Sequence, residues 1–365
     1  MKKLLFLLLL LPLFVTDAYA ETDGAAVSDV FHVQQMETTL QADERDITGN
    51  LSIDGSYDSK GAISRLWTSF LLQARKALED TLGMGAKLIA ILLVCGIAGT
   101  LLPDPKLGTW IELVGCSASG LLLVGGVNSL VNQTTEVMFR LSDYSRAALP
   151  VVFTAAAASG AVSSSAARYA AISFALEVLM SLSQACILPL IDAYLATILA
   201  GSLFPNPVLS GASRFCKWSG GILMTGFTLV FTSFLGMTGI VSSALDAAAV
   251  KTTRSVISTT LPVIGGLISD ASAAILSAAG LVKSCAGVFG LIAVAAICVG
   301  PFAVMGVKNL LLKAVSIFAD ALECPRFSRL YAGLGSAVSM LMGLLGSYAI
   351  MLFLSLVSGL KAVSG

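Results

Sequence analysis

The side chains best placed to do chemistry are a few charges set within long apolar stretches. Glu177 and Asp192 lie deep in such runs, and Asp270 sits in another with Lys251, Arg254 and Lys283 around it in sequence. An ionisable group at the centre of a membrane helix costs about 2.5 to 3.5 kcal/mol on insertion scales, so one that is kept there has a partner or faces water. Glu177, Asp192, Lys251, Asp270 and Lys283 are therefore the candidates for a polar lining or for ion pairs in the core. Their spacing favours neither role and specifies no proton relay. Glu112, near the start of its run, is within reach of an interface.

Other chemistry finds little support. His32 is the single histidine, which leaves no histidine dyad or cluster for acid–base work or metal binding. The seven cysteines (95, 116, 186, 216, 285, 298 and 324) form no CxxC pair and read as small apolar residues. Ser163-Ser164-Ser165 has no base nearby in sequence, and no G-x-x-x-x-G-K-[ST] phosphate loop or G-x-S-x-G elbow occurs. The expectation is a protein that is not an enzyme and holds no cofactor or metal.

The elements that would position those charges are apolar helices. Of 365 residues, 56% are hydrophobic and 12% charged, and the net charge is zero. A chain so poor in charge cannot cover a water-facing surface, and its balance offers nothing to nucleic acid. An all-α polytopic bundle of about seven spans is predicted, at 84–102, 110–132, 147–165, 169–190, 218–242, 284–306 and 333–360. Segments 191–204 and 261–282 are ambiguous. Pro189 and Asp192 interrupt the run from Ala170 to Ala200, and Gly265-Gly266 with Asp270 suggests a broken or re-entrant helix. Residues 134–146 and 307–324 are charged enough to lie in the interface plane.

Small residues at intervals of four mark close helix packing. Gly335, Ser339 and Gly343 do so in the last span, and Gly115 and Ser119 in the second. Such stripes serve contacts within one chain or within a homo-oligomer alike.

The amino terminus divides from this body. Lys2 and Lys3, an apolar core from Leu4 to Val15, and Ala18-Tyr19-Ala20 make residues 1–20 a predicted cleaved signal peptide. Residues 21–82 hold about half of the chain's 22 acidic side chains and form a predicted extracytoplasmic segment. It ends in an amphipathic helix with Ile63, Leu66, Trp67, Phe70, Leu71, Ala74 and Leu78 on one side. Residues 83–365 are the predicted membrane domain.

One block carries a family likeness. Gly236-Met237-Thr238-Gly239, Ser243-Ala244-Leu245-Asp246 and Lys251-Thr252 lead into Leu261-Pro262-Val263-Ile264-Gly265 and Ser269-Asp270-Ala271, followed by Lys283, Gly287 and Gly290. This resembles the central part of the stage III sporulation protein AE family. The likeness runs from about residue 120 to the end, with Ala148-Leu149-Pro150-Val151 and Leu188-Pro189-Leu190 inside it. The resemblance implies a multi-pass protein of the mother-cell membrane around the forespore. It implies a core subunit of a secretion-like channel complex that sustains late forespore gene expression. Its partners would be other membrane proteins of that complex and a cytoplasmic ATPase acting in trans. An autonomous secondary transporter and a membrane assembly platform without a conduit are the rival readings.

Overall fold

The computed structural model describes residues 34–49, 57–101, 105–158, 162–204, 206–260 and 265–361. Side chains are described over the same ranges apart from 100, 105, 162–164, 238–260, 265–284 and 361. Two short helices come first, α1 (Gln34–Thr38) and α2 (Ala42–Thr48). Long helices follow: α3 (Ser59–Leu101), α4 (Pro105–Ala158) and α5 (Val162–Leu182). A π-helical turn (Ser183–Ile187) leads into α6 (Leu188–Leu203), then α7 (Pro207–Thr260), α8 (Gly265–Ala321) and α9 (Pro325–Lys361).

Six helices among the described residues are long and apolar enough to cross a membrane: Ser59–Gly99, Lys106–Ala158, Ser165–Leu203, Pro207–Met237, Cys285–Ala321 and Pro325–Leu360. The chain is thus an all-α membrane bundle. Several boundaries differ from those expected. The amphipathic stretch from Ile63 and the first span are one helix, α3, which passes residue 82 without a break. The stretch 134–146 lies inside α4, and all but the last three residues of 307–324 lie inside α8, rather than forming separate interfacial helices. Continuing a helix keeps every backbone group paired, whereas ending one exposes four carbonyls or amides. Of the segment 261–282, residues 261–264 lie outside the described residues and the rest begins α8.

Pro189 accounts for the π turn. It has no N–H to give to the carbonyl four residues earlier, and its ring crowds that carbonyl. The widened turn lies directly before α6, whose second residue is this proline. The run stays one rod with a local bulge.

Helix directions follow from which residues meet. Gly300 lies against Gln73, Gly85 against Leu311 and Gly96 against Leu322, so α3 and α8 run parallel. Gly287 meets Leu360, Gly290 meets Leu356 and Gly346 meets Phe302, so α8 and α9 are antiparallel. Tyr331 Oη donates to Ser119 Oγ at 3.0 Å and Gly359 lies on Val152, which makes α4 and α9 parallel. The chain therefore runs up and down, and the three turns before Pro105, Pro207 and Pro325 gather at one end. The opposite end holds α1 and α2, since Met36 and Leu356 both touch Gly290, and Lys361 ends there too.

The three turns share a sequence device. Each second helix opens with proline, at the position where its missing N–H is harmless. Ala98-Gly99-Thr100-Leu101-Leu102-Pro103-Asp104-Pro105 is repeated as Ala200-Gly201-Ser202-Leu203-Phe204-Pro205-Asn206-Pro207, with five identities in eight. In both copies the glycine marks a close approach: Gly108 lies on the Gly99 backbone, and Gly201 lies on Leu209. The bundle thus repeats a helical hairpin.

The core is not where hydropathy alone would put it. The most apolar window, in Cys285–Ala321, is 83% buried within the protein, and that of Pro325–Leu360 is 72% buried. The windows of the other four are 17–33% buried and face outward. α9 lies at the centre, packed by α4, α6, α7 and α8, with Tyr331, Leu341, Leu345 and Tyr348 almost wholly enclosed. The longest helices also exceed the bilayer. At 54 residues α4 measures about 80 Å, against about 30 Å of hydrocarbon. Part of the bundle stands in water, and the charges of α3 from Lys60 to Asp80 lie on that surface.

Candidate functional site: charges held in the bundle

Two ion pairs that sequence reasoning missed, both on α4, clamp the two ends of the bundle. At the amino-terminal end Arg140 Nη2 pairs with Glu44 Oε1 of α2. Glu44 is 6% exposed, and its second oxygen accepts the Gln41 backbone N–H at 2.8 Å. The spacing Gln41-x-x-Glu44 is the pattern that lets an acidic side chain cap its own helix. Here the same carboxylate also reaches across to α4.

Neighbouring contacts fix the segment. Arg65 Nε donates to the Ile47 carbonyl at 3.0 Å and Tyr57 Oη to the Thr48 carbonyl at 2.6 Å. Burial pushes the Tyr57 phenol well above its ordinary range, against the pull of Arg65, so it stays a neutral donor. Its ring meets Phe289 of α8 edge-on at 5.8 Å. Met36, Leu40 and Ile47 are buried, so this part of the polar segment spends its apolar side chains on the bundle.

At the turn end Glu112 Oε1 accepts the Arg326 backbone N–H at 2.9 Å, and Oε2 lies 3.6 Å from Arg326 Nε. Arg326 Nη1 also donates to the Leu203 carbonyl at 3.3 Å. One guanidinium thus joins the start of α9, the last turn of α6 and the first third of α4. Glu112 satisfies an orphan amide and places negative charge at a helix start. The pair is 15% and 20% exposed, so both charges are largely removed from water.

The predicted lining residues are spread apart. Glu177 is exposed and accepts from Arg146 Nη2 at 2.7 Å, and Arg146 also sits 3.7 Å from Asp143. Asp192 is exposed on α6. Lys251 lies in α7, and Asp270 and Lys283 in α8, with side chains outside the described residues. Glu177 and Asp192, the two whose side chains are described, face outward on the α5–α6 rod and share no ion pair.

A polar notch lies instead on α9. Lys217 Nζ of α7 donates to Ser336 Oγ at 3.1 Å, and Asn309 Nδ2 of α8 donates to Ser339 Oγ at 3.0 Å. Gly335 lies against Asn309 and Lys313, and Gly343 against Met224. Of the three small residues expected to pack, Gly335 meets α8, Gly343 meets α7, and Ser339 is exposed between them. Nothing in the sequence near Lys217 or Lys313 links the two, and only the fold shows that they flank the same turn of α9.

Residues 60–361 match the family model described as Stage III sporulation protein AE. The chain is similar to the stage III sporulation protein AE of Bacillus subtilis (strain 168), with 22% identity over 193 residues, covering 52% of this chain and 48% of that protein. The chain thus spans about half the length of the curated relative it matches. No solved structure matches.

Proposed function

The chain belongs to the stage III sporulation protein AE family, and from that premise we propose that it is a core membrane subunit of a channel complex joining mother cell and forespore. The family match over 60–361 carries this reading, because it takes in the whole described bundle from α3 to α9. Sporulation is the family's process, and the six apolar helices make the chain a membrane protein.

A scaffold role is supported by the construction. Ion pairs at both ends of α4 hold the hairpins in one register, and the helices outrun the bilayer to offer a water-side surface. In the proposed orientation residues 21–82 face the space between the two membranes. The carboxyl terminus lies on the same side, since six spans return the chain to its starting face. The complex would supply late forespore gene expression with material or energy from the mother cell, through an ATPase on the cytoplasmic face.

Lys251, Asp270 and Lys283 remain the proposed lining or pairing residues of that bundle. The test is isolation of the tagged full chain from membranes of sporulating cells in mild detergent. The reading predicts co-elution with other spore-stage membrane proteins in fixed ratio. A chain that elutes alone and catalyses solute exchange in vesicles favours the autonomous transporter.

A further inference from the structure

The α9 notch is an incomplete helix environment. α4, α6, α7 and α8 pack around α9, yet among the described residues α7 and α8 do not close over it between them. In that opening Ala332 and Ser339 are exposed and Ser336 is half-buried. Small side chains on this strip let another backbone approach closely. The walls carry Lys217 and Lys313, both exposed and both inside candidate spans. Lys217 reaches a serine hydroxyl, not a carboxylate, and neither lysine has an ion pair among the described residues. Lys313 shares its face of α8 with Leu310 and Ile317, at 55% and 69% exposure, so it rises from an apolar surface. Asn309 Oδ1, in the same wall, is buried and lacks a donor.

We propose that this notch seats one membrane-spanning helix of a partner protein, carrying an Asp or Glu that meets Lys217 and Lys313. Three features select that occupant. The strip between α7 and α8 carries Ala332, Ser336 and Ser339 on one face of α9, small side chains that admit a helix backbone. An uncharged lipid chain would bring no counter-charge to the two ammonium groups, whereas a carboxylate on a helix would. A second copy of this chain docked by the same notch would bring lysine against lysine. The proposal rests on the membrane assignment and stands whether or not the chain works in a channel complex.

The experiment places a photoreactive amino acid at Ala332 in the full chain, in its native membrane, with Leu121, 79% exposed on α4, as the control position. Expected is an adduct at Ala332 with a spanning segment that contains a carboxylate, mapped by mass spectrometry, and not at Leu121. Lys217→Glu with Lys313→Glu should cut its yield at least tenfold. Changing the partner's carboxylate to lysine should restore it. If the double reversal fails to accumulate, Lys217→Gln with Lys313→Gln serves the same comparison. Adducts with lipid alone, with a second copy of this chain or with a soluble protein overturn the proposal. So does a yield indifferent to both charge changes.

Discussion

The Glu112 carboxylate on α4 holds the backbone N–H of Arg326, 214 positions later in the chain, at 2.9 Å. The Arg326 side chain turns back to the same carboxylate and to the end of α6. The pair thus ties α4, α6 and α9 together at one end of the bundle.

Removing one partner should cost more than removing an exposed arginine nearby. Arg326→Met leaves Glu112 largely buried and uncompensated, and a loss of about 2–4 kcal/mol follows. Arg329→Met, where the guanidinium is exposed and reaches only Pro325 O, should change stability by less than about 1 kcal/mol. Denaturant unfolding in detergent compares the two, and equal losses would show that Arg326 is not the junction.

Glu44 and Arg140 make a second clamp whose readout is local. Arg140→Met should loosen α1 and α2 before the bundle itself melts. Limited proteolysis of the variant is expected to cut within 34–49 at least tenfold faster while 105–158 stays protected. A double change, Glu44→Gln with Arg140→Met, should be less than additive, because the first loss already frees the second residue.

Cys324 lies in the turn between α8 and α9. Burial pushes its thiol up, and the negative charge of Glu112 and the Cys95 thiol add to the rise. The reactive thiolate is thus scarce at neutral pH and appears only as pH climbs. Glu112→Gln removes a charge that opposes the thiolate, so the thiol's pKa falls. Maleimide labelling at pH 8 should become faster, and slower labelling would contradict the placement.

Gly115 separates packing from propensity. A methyl there would meet Cys95 and Phe327, whereas Gly125 has open space beside it. Gly115→Ala should destabilise by about 1–3 kcal/mol. Gly125→Ala should be neutral or stabilising, since alanine favours helix. Matching losses in thermal unfolding would mean that α3, α4 and α9 do not meet at this point.

Local features of the sequence carried over well, and distant ones did not. Helical, apolar character from residue 84 on follows from composition. The joining of Ile63–Leu78 to the first span was hidden because charge falls away after Asp80, while Gly83 and Gly85 look like a break. In the fold Gly85 lies on Leu311 within an unbroken helix. The span expected at 284–306 lies in the most apolar of the candidate helices and is also the most enclosed, because apolar composition cannot separate lipid from protein neighbours. Glu44 and Arg140 stand 96 residues apart, and nothing at either position announces the other. The paired A-G-[TS]-L-x-P-x-P turns were legible in the letters, but their meaning needed the shared end of the bundle.

The most direct test of the central claim is deletion of this gene in its native host, scoring engulfment and late forespore transcription. The account predicts that engulfment completes and that late forespore transcription then fails, with recovery by the wild-type gene. Normal spores with normal late transcription would contradict it.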